Sequence, residues 1–153
     1  MQTKFSSTQK AILAGGLIAG TIDIGSAALI NWASPILILR AIASGLLGVA
    51  SFRDGAASAF LGLFLQWFMS LILAAIFVLT ARRRTILARD WKLWGLIYGA
   101  VIFAVMNYIV VPLSRAPFDP FIFIPVKFLE NLIAMFLFGW IVAFCTYRCL
   151  VVQ

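Results

Sequence analysis

The stretch "GGLIAGTIDIGSAALIN", from Gly15 to Asn31, decides the fold class of this chain. Its residues are almost all apolar or small, which is typical of a membrane-spanning helix. Asp23 nevertheless lies near the middle of the stretch, where hydrocarbon is expected to surround it. Because a charged side chain is costly at that depth, Asp23 is the first candidate for a polar site inside the membrane.

The rest of the chain has the same apolar character. Hydrophobic residues make up 64% of its 153 residues and charged residues 11%, with a mean hydropathy of +1.09. An ordinary soluble domain is roughly half apolar and about a quarter charged. Apolar runs of about 20 residues, each long enough to cross about 30 Å of hydrocarbon, recur along the chain. We therefore predict a single all-α, polytopic membrane domain over residues 1–153.

Four apolar stretches are long enough to be transmembrane helices. They cover about residues 11–32, 56–80, 91–111 and 122–147. Pro112 is expected to stop the third span, because proline interrupts helical hydrogen bonding. The fourth span is expected to begin between Phe121 and Val126, after a proline-rich segment that cannot be a regular helix throughout.

A short helix is predicted between the first and second spans, over about residues 35–50. Ser34 is a good N-cap, and Pro35 suits the first helical position. This helix is too short to cross the bilayer and carries Arg40 near its middle. We expect it to lie in the membrane interface or to re-enter the bilayer part-way.

The distribution of basic residues predicts the orientation. If the loop from Arg82 to Lys92 is cytoplasmic, eight of the twelve Lys and Arg residues lie on that side: Lys4, Lys10, Arg82, Arg83, Arg84, Arg89, Lys92 and Arg148. The other four are Arg40, Arg53, Arg115 and Lys127. The positive-inside rule then favours four spans with both termini in the cytoplasm. If the short helix crossed as well, there would be five spans and the termini would separate.

The sequence offers little for catalysis or metal binding. It has no histidine, and its two cysteines, Cys145 and Cys149, lie one helical turn apart near the cytoplasmic end of the last span. A disulfide is disfavoured in a reducing cytoplasm, and zinc and haem sites lose their usual ligands. We therefore predict no enzyme activity, no catalytic residue, no metal site and no cofactor. The net charge of +7 is attributed to topology signals rather than to nucleic-acid binding.

Small residues at helical spacing mark the faces on which the spans are expected to pack. The glycines assigned to helix packing are Gly16, Gly20, Gly62, Gly95 and Gly99. In lipid, apolar burial does not drive helices together, so small residues that permit close backbone approach take that role. Asp23 lies on the same face of the first span as Gly16 and Gly20.

Four polar residues inside the spans are predicted to form a layer. Asp23, Gln66 and Glu130 lie about 12 to 14 Å from the outer ends of their spans, and Asn107 about 8 Å, at about 1.5 Å per residue. In one interpretation, Asp23 and Glu130 form a carboxylate pair in a cavity that binds a cation or carries a proton. In the other, which we favour, they are helix staples, with Arg40 near Asp23 and Lys127 near Glu130.

Three segments carry a resemblance to known proteins. "GGLIAGTIDIGSAALIN", "AIASGLLG" and "MNYIVVPLSRAP", within Gly15 to Pro117, resemble small uncharacterised four-helix inner-membrane proteins of proteobacteria. The resemblance implies a location in the bacterial inner membrane. It implies no activity and no residue roles.

Three functional hypotheses follow. The leading one is a non-enzymatic integral membrane protein, an accessory or structural subunit that packs with itself or with a larger membrane complex. The alternative is a small oligomeric transporter or channel that uses the Asp23–Glu130 pair. A weaker alternative is a lipid-binding protein with Arg40 at a headgroup. The expected partners are membrane lipid and other membrane-embedded chains, not nucleic acid.

Overall fold

All the regular secondary structure is helical in the part of the chain that the computed structural model describes, residues 6–117 and 124–152. The α-helices are α1 (Ser7–Ile30), α2 (Pro35–Leu47), α3 (Gly55–Arg83), α4 (Ile86–Arg89), α5 (Trp91–Val105), α6 (Val111–Leu113) and α7 (Pro125–Leu150). A 3-10 helix, Gly48–Phe52, follows α2, and a π-helical turn, Met106–Val110, joins α5 to α6. The predicted all-α class is confirmed for these residues.

Five helical segments are long and apolar enough to cross a membrane, judged by length and composition. They are α1, α2 with its 3-10 continuation, α3, α5 through α6, and α7. This number differs from the predicted four spans plus one short helix. The difference arises because Gly48–Phe52 extends the short helix to 18 residues.

The short helix begins as predicted and ends at a glycine. The Ser34 hydroxyl accepts a hydrogen bond from the Leu37 N–H at 3.3 Å, and Pro35 occupies the first helical position. Gly48 adopts φ +63°, in the left-handed region that glycine enters readily. α2 therefore stops there, and the 3-10 helix that follows is a separate element.

The long helices alternate in direction. At three interfaces the residue numbers rise along one helix as they fall along the other. The contacts that show this are Gly16–Leu71 and Asp23–Gln66 between α1 and α3, Gly15–Cys145 and Asn31–Lys127 between α1 and α7, and Gly95–Trp140 and Gly99–Phe136 between α5 and α7. α1 and α5 therefore run in one direction, and α3 and α7 run in the other. Because α1 and α3 are antiparallel, the segment that joins them, including α2, starts and finishes at one end of the bundle.

The two ends of the bundle differ in charge. The end where α1 and α5 begin, called here the basic end, carries seven described Lys and Arg residues: Lys10, Arg82, Arg83, Arg84, Arg89, Lys92 and Arg148. The end that holds α2, called here the α2 end, carries four: Arg40, Arg53, Arg115 and Lys127. Lys4 lies outside the described residues, as does Phe121, where the fourth span had been expected to begin.

The third long helix ends at Leu113, one residue past Pro112 and close to the predicted end at about Val111. The π-helical turn Met106–Val110 precedes α6, Val111–Leu113, without a break. Proline lacks an N–H, and its ring presses against the carbonyl four residues earlier, so an α-helix cannot pass through it unchanged. The π turn changes the hydrogen-bond register directly before Pro112 and so accommodates the ring.

Glycines set the closest helix contacts. A Cβ added at Gly99 would lie 2.8 Å from the Phe136 Cα, and one added at Gly62 would overlap the Leu39 carbonyl. Gly139 lies against Gly99 from the other side of the same interface. At these crossings backbone touches backbone, which only a residue without a side chain allows.

The close approach of α5 and α7 predicts a penalty for a single methyl group. Gly99→Ala is expected to lower the free energy of unfolding by about 1 to 3 kcal/mol, because the added Cβ forces the two backbones apart. The measurement is reversible unfolding in mixed detergent micelles, followed by circular dichroism.

Gly25→Ala is the matched control. Gly25 also lies inside a helix, but a Cβ there would meet nothing within 4 Å. That variant is expected to be neutral or to gain up to about 1 kcal/mol from better helix propensity. Equal destabilisation by both variants would contradict the packing described here.

Candidate functional site

Asp23 is held between α1 and α3 by a hydrogen bond. The Gln66 Nε2 donates to the Asp23 Oδ2 at 2.7 Å, and the same nitrogen lies 3.5 Å from the Gly20 carbonyl oxygen. Gly20 packs directly against Ser70 of α3, so the helices are close enough for these side chains to meet. The predicted polar layer therefore contains at least this one pair.

A small cavity lies beside the pair, where α1, α3, α7 and the segment from α5 through α6 meet. We call these four the long helical segments. The cavity has a volume of about 30 Å³ and is lined by Asp23, Gln66, Met69, Ser70, Leu73, Ile102, Met106, Met135 and Phe138. A cavity of this volume can hold about one water molecule or one small ion. We call it the central cavity.

Ser70 adds a polar group to the central cavity. Its side chain is 2% exposed, and its hydroxyl oxygen packs against Gly20 of α1. Ser70 therefore brings a hydroxyl group to the wall of the cavity.

Three of the nine residues that line the central cavity are methionines. Met69 comes from α3, Met106 opens the π-helical turn, and Met135 comes from α7. Asp23 comes from α1, so each long helical segment contributes one of these four side chains. Methionine often fills irregular gaps in protein cores, and packing is its ordinary role.

Glu130 lies away from the central cavity. It is half-buried and makes no hydrogen bond or ion pair with the described residues. Met135, which does line the cavity, follows it by five residues, about 7.5 Å along the helix. Lys127 donates to the Asn31 Oδ1 at 2.9 Å and so ties α7 to the end of α1. The structure does not bring Glu130 to Asp23.

Arg40 and Asn107 also lie outside the cavity lining. The Arg40 Nε donates to the Gly55 carbonyl at 3.1 Å, which fixes α2 to the start of α3. The Asn107 Nδ2 donates to the Phe103 carbonyl of its own helix at 2.9 Å, and its side chain is exposed. Of the six predicted members of the polar cluster, only Asp23 and Gln66 meet.

The glycines assigned to helix packing all lie in contacts between helices. Gly16 and Gly20 contact α3, Gly95 and Gly99 contact α7, and Gly62 contacts α2. Sequence reasoning did not single out Gly139, which packs between Gly95 and Gly99. It also gave no role to the methionines, whose positions on three separate helices leave no spacing pattern to detect.

The chemistry of the site is limited by its side chains. No group of three or more His, Cys, Asp or Glu residues in the described ranges is placed to hold a metal ion. The residues that line the central cavity carry one carboxylate, one amide, one hydroxyl and three thioethers. This set can bind a water molecule or a small ion.

Comparisons with known proteins add no assignment. The chain matches no model of a protein family, no curated protein and no solved structure. The resemblance to small inner-membrane proteins stays a prediction.

The Asp23–Gln66 hydrogen bond is expected to stabilise the α1–α3 interface. In a double-mutant cycle with Asp23→Ala and Gln66→Ala, we expect a coupling energy of about 0.6 to 2 kcal/mol, the range of polar contacts between membrane helices. Unfolding in detergent gives the four free energies required.

A neighbouring pair is the control. The Trp67 Nε1 donates to the Thr21 Oγ1 at 3.2 Å across the same interface, but this bond is exposed. A cycle with Thr21→Val and Trp67→Phe is expected to give a smaller coupling. A larger coupling for the exposed pair would show that Asp23 and Gln66 do not join the helices.

Proposed function

We propose that this chain is a non-enzymatic, four-crossing protein of the bacterial inner membrane, with both termini in the cytoplasm. Its role is that of an accessory or structural subunit that packs against other membrane-embedded chains. Those chains are copies of itself or subunits of a larger complex. The observation that carries this role is an exposed face of two alanines and one asparagine on the third crossing.

The antiparallel contact between α1 and α3 supports four crossings. If both helices cross the membrane in opposite directions, the segment between them returns to its starting side. α2 has 13 residues, about 20 Å of helix, and Gly48 ends it. A re-entrant or interfacial α2 fits this geometry better than a complete crossing does.

The charge difference between the ends supports the orientation. The basic end carries seven described Lys and Arg residues and the α2 end carries four. Cytoplasmic loops are the ones enriched in Lys and Arg, so the basic end is assigned to the cytoplasm. Ser7 and Leu150 both lie at that end.

The exposed face on α5 and the π turn consists of Ala100, Ala104 and Asn107. The three residues fall on one side of the helix, with successive spacings of four and three. We call this the α5 outer face. The Asn107 Oδ1 accepts no hydrogen bond from the described residues, although it lies six residues, about 9 Å, inside the end of the segment at Leu113.

A protein partner would satisfy this face better than lipid would. An amide oxygen in hydrocarbon has no donor available, whereas an asparagine on a neighbouring helix provides one. The two alanines allow the backbones to come close, as small residues do in membrane helix pairs. Glu130 and Asn131 are further polar side chains on the spans without a hydrogen bond to the described residues.

The two alternative functions have less support. A transporter based on an Asp23–Glu130 pair needs both carboxylates in one path, but only Asp23 lines the central cavity, whose volume is about 30 Å³. A lipid-binding role for Arg40 needs a free guanidinium, and part of that group bonds to the Gly55 carbonyl.

Association through the α5 outer face is tested by blue native electrophoresis with mass spectrometry of the purified assemblies. The wild-type chain, 16.8 kDa, is expected to migrate as an assembly of two or more chains. A variant with Ala100→Ile, Ala104→Ile and Asn107→Leu is expected to dissociate, because the face becomes bulky and loses its amide.

Two variants control for bulk and hydrophobicity elsewhere. Ala57→Ile enlarges an exposed alanine on α3, and Tyr108→Leu changes the residue beside Asn107. Both are expected to keep the wild-type assembly. A monomeric wild-type chain, or an assembly indifferent to the triple variant, would contradict the proposed role.

The four-crossing topology is tested by labelling single cysteines in a background with Cys145→Ser and Cys149→Ser. In intact cells whose outer membrane is permeable, a membrane-impermeant maleimide is expected to label Trp32→Cys and Asp54→Cys equally. Arg84→Cys should react only after the inner membrane is opened. Labelling of only one of the first two positions would show that α2 crosses.

A further inference from the structure

Four residues whose side chains can bind a metal line the central cavity, one from each of four different helical segments. These side chains are the Asp23 carboxylate and the thioethers of Met69, Met106 and Met135. The chain has four methionines, and the only other one, Met1, lies outside the described residues. Helix bundles commonly build metal sites in this way, from single side chains that project inward on facing helices.

The charge in the cavity favours a monovalent cation. No Lys or Arg side chain lines the cavity, and Arg40 and Lys127 bond elsewhere. The Gln66 amide is neutral, so an ionised Asp23 lacks a countercharge among the lining residues. One positive charge would neutralise it, whereas a divalent ion would leave a buried excess charge.

The chemistry of the lining favours a soft cation over a hard one. Hard ions such as Ca²⁺ and Mg²⁺ surround themselves with six or more oxygen ligands. Only three of the lining residues, Asp23, Gln66 and Ser70, have side-chain oxygens, which is fewer than a hard ion needs. One Asp23 oxygen, Oδ2, also accepts a hydrogen bond from the Gln66 Nε2. Thioether ligands instead select Cu(I) and similar soft ions, which accept fewer ligands.

The backbone is distorted where Met106 meets the cavity. Met106 is the first residue of the π-helical turn, and it lines the cavity. π turns inside helices are rare and occur frequently at functional sites, where the inserted residue redirects nearby side chains. Pro112 explains why the helix contains a π-helical turn here. Met106 is the residue at which that turn begins.

We propose that the central cavity binds one soft monovalent cation, of the Cu(I) or Ag(I) class, through the thioethers of Met69, Met106 and Met135 and the carboxylate of Asp23. Gln66 is a positioning residue, since its amide holds the Asp23 Oδ2. The Ser70 hydroxyl supplies a further oxygen at the wall. This site lies inside one chain and does not depend on the association proposed above.

The test uses Ag⁺ as a redox-stable probe on the full-length chain in lipid nanodiscs. Cysteines also bind Ag⁺, so every variant carries Cys145→Ser and Cys149→Ser. Isothermal titration is expected to give about one tight site per chain. Silver-edge X-ray absorption is expected to show sulfur neighbours, which in this background only methionine provides.

Substitution of the proposed ligands gives the decisive comparison. Met→Leu changes conserve volume and are tolerated well in cores, so they remove sulfur while keeping the fold. The triple variant Met69→Leu, Met106→Leu, Met135→Leu is expected to lose the tight site. Gln66→Ala is expected to weaken Ag⁺ binding by about 10- to 100-fold, as loss of a residue that orients a ligand does.

Asp23→Asn and Glu130→Gln form a matched pair of neutralised carboxylates. Asp23→Asn is expected to weaken Ag⁺ binding at least about tenfold, since it removes a directly bound charge. Glu130→Gln should leave binding unchanged, because Glu130 does not line the cavity. Absence of a tight Ag⁺ site in the cysteine-free chain, or a site that survives in the triple Met→Leu variant, would overturn the proposal.

Discussion

The long helices are apolar enough to cross a membrane. In lipid, apolar side chains gain nothing by moving to a neighbouring helix, so such a bundle depends on close backbone contact at small residues. Gly20 against Ser70 joins α1 to α3, and Gly95, Gly99 and Gly139 join α5 to α7. Each contact fixes how far one helix is shifted along its neighbour. Those shifts decide which polar side chains meet, and they bring Gln66 within 2.7 Å of Asp23. The central cavity lies where the shifts leave the four segments incompletely packed.

Much of the helical organisation was readable from the sequence, because it depends on local signals. Hydrophobic runs marked the long helices, Ser34 and Pro35 marked the start of α2, and the spacing of glycines pointed to the contact faces. The π turn before Pro112 was not readable in this way. A proline usually ends a helix, and the π turn that accommodates it here involves residues with no distinctive signature.

The sequence predicted only part of the candidate site. The depth of a residue along its own helix does not tell how far that helix is shifted along its neighbour. Counting from the span ends placed Asp23 and Glu130 at one level. The contacts of α1 with α7 instead place Met135 at the cavity with Asp23, and Glu130 lies more than one turn away. Arg40 was expected to reach Asp23 from the short helix, and Lys127 to pair with Glu130 one turn away. They bond instead to Gly55 and Asn31.

The central claim is that α1 and α3 meet at Asp23 and Gln66, while Glu130 lies apart. Disulfide cross-linking in membranes measures this directly, because a disulfide forms only when the two Cα atoms come within about 7 Å. In a chain with Cys145→Ser and Cys149→Ser, Gly20→Cys with Ser70→Cys, about one turn from Asp23 and Gln66 at the same interface, is expected to cross-link within one chain, because a Cβ at Gly20 would lie 2.9 Å from the Ser70 Cβ. Asp23→Cys with Glu130→Cys is expected to stay reduced. Efficient cross-linking of the second pair, with none of the first, would contradict the account.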